Sequence, residues 1–543
     1  MTARCEGTTL KSLLDNFAIC SGLKVNLEKT KAYNINGKIP DQNYGLKWPE
    51  DEIELLGLTV TDDQKVNYEK NLAPKLTHMH TLLNIWRQRN LSLKGKIVVI
   101  NSLIISLFVY PISIIDVPSQ VIIEIDKAIF KFLWSGKPPK IARNVVQSQI
   151  AEGGLKMPDI ATKAEAWKVM WIKRAIQNPE KIWVKILDKL LVKIKFIDLL
   201  RSDIVENKEL YKNLPNFFID ILKTWKKLHI IKSDTAPEIK KQMIWFNSNI
   251  TIENKPFIWE DWYVKGVVEI ADILDKNNDF LSSAKLNEKY NLNCNFLQSL
   301  QIRKSLPYNW RQTLTNESKP YIPIEHPYRI KYKNYNINMP EAKSINCYWS
   351  LMKDITRPPS AIAKWEEVFK EDILEWKFFY RNPFRTTSET KLQSFQYKIL
   401  HRITACNHWL HIVGVKTENS CNYCKLDDTI VHFFIHCNTV ELFWQSFSNW
   451  FSRIIGNNIE IKYKDILLGI NGKTNRDKTL NYCILLAKFH IYTKKVTDGN
   501  NDISLYSYLV LLKGKLNDMY VYYKQENKVD EFNTKWSYIT ESL

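Results

Sequence analysis

The residues best placed to do chemistry are Cys421-Asn-Tyr-Cys424, His432 after seven further residues and Cys437 after four more. Two cysteines three positions apart suit a tight knuckle whose thiolates share one metal. A histidine and a cysteine five apart can close the tetrahedron from the start of a following helix. Four soft or borderline ligands that leave no open position suit a structural zinc ion, not a catalytic one. His436 competes for the fourth place, because His432 and His436 at i, i+4 would make a two-cysteine, two-histidine set. Without a metal, the same cysteines would be ordinary core residues.

Other catalytic patterns fail on inspection. Gly472-Lys473-Thr474 resembles the end of a phosphate-binding loop, but the glycine needed five positions before Gly472 is Leu467. No Gly-x-Ser-x-Gly, His-Glu-x-x-His or Gly-x-Gly-x-x-Gly pattern is present. Adjacent acids at Asp62-Asp63, Glu260-Asp261, Glu366-Glu367 and Asp427-Asp428 lie in polar turns or on helical patterns, and read as solvated surface.

The elements that must position these residues follow from composition and spacing. The chain has 543 residues, 45% of them hydrophobic and 12% aromatic, which supports several cores and excludes a wholly disordered chain. Only 16 glycines leave few residues for tight turns and favour helices. A first helix is expected over 10–19, stopped by Ser21-Gly22, then short strands over 31–35 and 53–60, the second with a bend at Leu56-Gly57-Leu58 that suggests a hairpin against that helix. Helical spacing follows near Pro74, with Leu72, Leu76, Met79, Leu82, Leu83 and Trp86 on one face. The apolar run 97–115 is long enough to cross a bilayer, but Asn101, Ser102, Ser106, Pro111 and Ser113 interrupt it, and a buried helix ending near Pro111 is expected. Nine cysteines and a polar start without a cleavable signal pattern point to a reducing compartment.

Charge gives the partner class. Lys and Arg number 77 against 58 acids, a net charge of +19, which suits a polyanion. Residues 61–96 concentrate it, with seven basic residues against three acids. Lys181, Lys185, Lys189 and Lys193 recur at i, i+4 and read as a solvated face, with a phosphate track as the alternative.

The segment Ser21-Gly-Leu-Lys-Val-Asn-Leu-Glu-Lys-Thr30, followed by Leu55-Leu56-Gly57, resembles palm motifs D and E of the reverse transcriptases of LINE-type (non-LTR) retrotransposons. Leu91-Ser-Leu-Lys-Gly-Lys96, Phe132-Leu-Trp-Ser-Gly-Lys137 and Gly153-Gly-Leu-Lys-Met-Pro-Asp159 resemble that family's thumb and the segment after it. Residues 259–280, Tyr290 and Gln301-Ile302-Arg303 look like its linker. Lys391-Leu392-Gln393 and Phe395-Gln-Tyr-Lys-Ile-Leu-His-Arg402 precede the Cys-rich cluster, which runs to Phe443-Trp444.

The resemblance covers nearly the whole chain and implies a C-terminal part of such a polyprotein. The fold expected is mainly α, multi-domain, with a small α/β palm remnant and a small zinc-knuckle-type domain. The divisions expected are a palm remnant over 1–66, a helical thumb-like region over 67–175, a linker over 176–345, a Cys-rich zinc-binding domain over 346–460 and a helical tail over 461–543. The resemblance favours Cys421, Cys424, His432 and Cys437 as the zinc set, and marks Lys29 and Gly57 as palm motif residues.

The family is an RNA-directed DNA polymerase whose catalytic aspartates would fall before Met1. This chain is therefore expected to bind nucleic acid without copying it. A palm remnant alone would leave apolar surface around Phe17, Leu23 and Leu56. RNA and DNA are the expected partners, held mostly through phosphates by Arg87, Arg89, Lys94 and Lys96, with no membrane and no small-molecule substrate. Cytoplasm and nucleus are the locations that the resemblance implies. The alternatives are one part of a longer active polymerase, or a non-enzymatic host interaction protein derived from one.

Overall fold

The computed structural model describes residues 7–543 except 27, 33–46, 49–51, 62, 192, 203–209, 231–234, 316–326, 333–334, 374, 473 and 497–501. Most of the expected strand over 31–35 lies outside them, as do Asp62 and Lys473. Among the described residues the chain is mostly helical, with three two-stranded antiparallel hairpins as its only strands. Helices and hairpins gather around three hydrophobic cores, so the chain is multi-domain.

At the N-terminal end, helix Gly7–Ser21 leads to the hairpin Ile53–Leu55 with Leu58–Val60, paired Ile53 to Val60 and Leu55 to Leu58. Leu56 and Gly57 both take positive φ, 50° and 75°, as a two-residue hairpin turn requires. Asn71 ties the hairpin to helix Gln64–Asn71: its side-chain amide donates to the Thr59 carbonyl at 2.7 Å and accepts from the Thr59 N–H at 2.8 Å. Leu58 is buried, whereas Phe17, Leu23 and Leu56 are exposed.

The first core is built from residues 72–164 together with Tyr397 and Ile403. Helix Ala73–Arg87 buries Leu76, Met79 and Leu83 at helical spacing. Ser92 starts the next helix by accepting the Gly95 N–H at 3.1 Å. That helix runs over Leu93–Ile112 and passes through π-helical geometry over Ile100–Ile105. By length and composition it could cross a membrane, and half of it is buried, with Ile100, Ile104, Phe108 and Ile112 packed into the core. Helix Ser119–Leu133 packs beside it through Val121, Ile125, Ile129 and Phe132.

The second core spans residues 166–352 and is rich in tryptophan, with Trp245 wholly buried beside Phe257 and Trp259. Its helix Ile182–Leu190 is shorter than the lysine spacing suggests. Only Lys185 and Lys189 lie within it, and Lys185 and Lys193 pair with Glu180 and Glu260 at 2.9 and 3.3 Å.

The third core spans residues 361–539. Helix Asn438–Ile455 buries Val440, Phe443, Trp444, Phe447 and Phe451. Helix Asn475–Val496 is buried on all sides over 479–488 and forms the axis on which helices Leu505–Gln525 and Val529–Thr540 pack. Thr474 caps its start: the Asp477 carboxylate accepts from the Thr474 N–H at 3.0 Å, and the Thr474 hydroxyl accepts from the Asp477 N–H at 3.1 Å.

The first and third cores join at Gly153. Its carbonyl accepts from the Tyr397 hydroxyl at 3.1 Å and from His401 Nε2 at 2.8 Å. Lys94, at the start of the long apolar helix, donates to the Gln393 side chain at 2.9 Å on helix Thr390–Leu400.

Candidate metal centre and nucleic-acid interface

Cys421 and Cys424 sit on a knuckle that closes when the Lys425 N–H donates to the Cys421 carbonyl at 3.0 Å, with Lys425 in left-handed geometry. The Cys421 N–H donates back to the Leu426 carbonyl at 2.7 Å, and Ser420 bridges Asp427. The loop is fixed from beneath by Asp428, whose carboxylate accepts the Asn407 N–H at 2.9 Å. This corrects the expectation that Asp427-Asp428 is solvated surface, because Asp428 is buried and braces the knuckle. Glu366 is likewise structural, accepting the Trp376 indole N–H at 3.0 Å.

The other two ligand candidates come from a π-helical turn, His432–His436. In this wider turn the Cys437 N–H donates to the His432 carbonyl at 3.0 Å, an i→i+5 bond. Position 437 therefore returns to the side of His432, and His436 turns outward, exposed and edge-on to Tyr463. Cys421 Sγ lies 3.9 Å from Cys437 Sγ, and Cys424 Sγ lies 3.1 Å from His432 Nε2. The four ligand atoms all fall within 4.8 Å of one another. Three sulfurs and one imidazole nitrogen in that space could hold a zinc ion in tetrahedral coordination.

Burial keeps Cys421 and His432 neutral when no metal is bound. Burial pushes the Cys421 thiol up to about 11, so unaided it stays neutral at physiological pH. Burial holds the His432 imidazole below its ordinary value, with Lys495 acting in the same direction, which keeps a lone pair available to a metal. Lys495 is a residue that sequence spacing gave no means to find. Its ammonium lies 3.9 Å from Cys421 Sγ, donates to the Phe433 carbonyl at 3.1 Å and stands over the Phe433 ring at 4.5 Å. It comes from the axial helix of the third core, 58 positions after Cys437.

The four basic residues expected on the nucleic-acid face separate into two pairs. Arg87 and Arg89 are exposed at the end of helix Ala73–Arg87, and Arg89 lies over the Trp86 ring at 5.9 Å. Lys94 is half-buried, bound to Gln393 and 5.1 Å over the Phe384 ring. Lys96 is buried, donating to the Leu133 carbonyl at 3.1 Å and to the Ser135 hydroxyl. Burial lowers its pKa, and the nearby charges of Lys398 and Arg87 lower it further. Lys29 is exposed in the turn that Asn26 caps, and Gly57 occupies the hairpin turn.

No protein-family model matches the chain. The chain is similar to the "Transposon TX1 uncharacterized 149 kDa protein" of Xenopus laevis, with 22% identity over 228 residues. That similarity covers 40% of this chain and 17% of the length of the Xenopus protein.

Proposed function

We propose that this chain is derived from a LINE-type retrotransposon and forms the nucleic-acid-gripping part of its reverse transcriptase: thumb-like helices, a linker, and a domain stabilised by zinc at Cys421, Cys424, His432 and Cys437. The similarity to a transposon protein carries the reading of origin. The motif resemblances over 21–30, 91–96, 153–159 and 395–402 favour the reverse transcriptase assignment. The net charge of +19 and the exposed Arg87 and Arg89 favour RNA and DNA as partners, met largely through phosphates. Polymerase chemistry requires carboxylates that clamp two metal ions, and we assign that role to no residue of this chain. Action in the cytoplasm and then at nuclear DNA follows from the same assignment.

The test is filter binding of labelled single-stranded RNA at rising salt. The expected result is a linear fall of log K with log salt whose slope shrinks in Arg87→Glu/Arg89→Glu. An interaction protein whose charge serves only solubility would show no salt-dependent affinity.

A further inference from the structure

Between the first and third cores lies a cleft of about 560 Å³. One wall comes from residues 90–93 and 133–140, the other from helix Thr390–Leu400, the loop after it and the axial helix near 489–492. Lys96, Lys140, Lys391 and Lys398 line it, and no Asp or Glu does. None of the four forms an ion pair among the described residues. Their charges face one another: Lys398 lowers the pKa of both Lys96 and Lys140, with burial as the larger cause in each. Burial also lowers the pKa of Lys398 itself. Gathering ammonium groups without a counter-charge costs free energy in the isolated chain, and an anion in the cleft would recover it.

A second, independent observation concerns hydrogen bonding. Trp134, Ser394 and Thr404 line this cleft and are more than nine-tenths buried, and the Trp134 indole N–H and the two hydroxyls, shielded just behind its surface, have no hydrogen-bond partner among the described residues. Buried polar groups are rarely left unpaired. At the cleft itself the four ammonium groups only donate, and no carboxylate is there to accept from them. That matches an acceptor-only ligand such as a phosphate.

The apolar wall narrows the class. Phe395, Phe489 and Tyr492 cluster with ring centroids 5.2 and 5.3 Å apart, and Trp134 stands on the opposite wall. The volume lies within the roughly 300–1,000 Å³ of sites that take small organic ligands, more than a bare phosphate needs. Aromatic faces beside a lysine track suit unpaired bases attached to phosphates, whereas a duplex keeps its base faces stacked internally.

We propose that this cleft seats one or two nucleotides of a single strand, phosphates on Lys140, Lys391 and Lys398, and bases against Phe489, Tyr492 and Trp134. The proposal rests on the reading of the chain as a nucleic-acid binder and gives that binder a specific seat.

The experiment uses the full chain and a fluorescein-labelled oligouridylate octamer, read by anisotropy over a range of salt. Lys140→Glu/Lys391→Glu, two exposed positions, is expected to lower affinity at least tenfold and to reduce the salt slope by about 0.7 for each phosphate no longer neutralised. In the wild-type chain, oligouridylate should also protect Lys140, Lys391 and Lys398 from acetylation, a readout that does not depend on how any variant folds. An unchanged slope and no protection, with Arg87→Glu/Arg89→Glu still weakening binding, overturns the cleft and leaves the functional reading intact. If wild-type chain shows no affinity for the octamer at low salt, both fall. Full competition by uridine triphosphate at concentrations where the octamer is no tighter overturns the single-strand assignment in favour of a free nucleotide.

Discussion

His401 and Gly153, 248 positions apart, meet where the imidazole Nε2 donates to the glycine carbonyl at 2.8 Å, and Tyr397 donates to the same oxygen. This junction explains the paired glycines. Gly153 has φ +85°, and a Cβ there would stand 2.4 Å from the Pro359 ring. A Cβ on Gly154 would lie 2.0 Å from the Ser148 carbonyl oxygen, a backbone atom that cannot swing aside. The two cores that wall the lysine cleft are held together by a contact that only glycine permits.

Gly154→Ala is therefore expected to destabilise the chain by about 2–4 kcal/mol, as a clash that the backbone must absorb. Chemical denaturation checks it. A value near zero would show that the segment has room it lacks in this structure.

The metal centre makes a prediction that separates two adjacent residues. Cys437→Ala and the pair Cys421→Ser/Cys424→Ser should each lose the one equivalent of zinc that wild-type chain retains through dialysis. His436→Ala should keep it, because His436 faces solvent against Tyr463. Elemental analysis by mass spectrometry reads all three. Loss of zinc in His436→Ala would assign the fourth ligand to the wrong neighbour. Zinc removal should also lower the stability of the third core, since the thiols and imidazole are then buried without their ion.

Acid should loosen the same region. Burial pushes both His401 and His490 down to about 4, against 6.5 unfolded. The unfolded chain thus binds more protons between these values, so this contribution to stability is complete above about pH 6.5 and is lost as pH falls towards 4. Each histidine costs on the order of a few kcal/mol by the lower limit. Urea denaturation midpoints at pH 7, 6 and 5 should fall in that order, and a flat profile would contradict the burial of these rings.

Lys488 predicts the opposite limb. It is buried on the axial helix, with the Gln396 side chain and the Leu467 carbonyl as acceptors at 2.5 and 3.3 Å. Burial lowers its pKa to about 7, against 10.5 unfolded. The unfolded state binds more protons above pH 7, so the burial cost is full below that value and relieved as pH rises. Stability should climb from pH 7 to about 9, above which the buried thiols and tyrosines oppose it. Lys488→Met should flatten the climb and raise stability at pH 7. A climb of equal size in the variant would remove Lys488 as its cause.

Sequence spacing made the helical character and the cysteine set legible, because helix periodicity and metal-ligand spacing are local properties. The choice between His436 and Cys437 was not decided by spacing alone. A regular α-helix would have put His436 beside His432, and the π-helical turn that selects Cys437 has no simple residue signature. Lys94 and Lys96 read as basic surface, yet the helix they begin is apolar over most of its length and packs on several sides. That packing turns Lys96 inward to the Leu133 carbonyl. Lys495 beside the thiols and Lys398 beside Lys140 depend on contacts between segments tens to hundreds of residues apart, which no window of sequence contains. The lysines from 181 to 193 are all exposed, as a solvated face requires, although helix Ile182–Leu190 ends before the repeat does.

The central claim is that this chain grips nucleic acid on its basic surfaces. Photo-crosslinking of full-length chain to 4-thiouridine RNA, followed by peptide mapping, tests it most directly. Salt-sensitive crosslinks are expected on peptides that carry Trp86 beside Arg87 and Arg89, and on those that carry Trp134, Phe489 or Tyr492. Absence of crosslinks at low salt, or crosslinks confined to the tryptophan-rich second core, would contradict it.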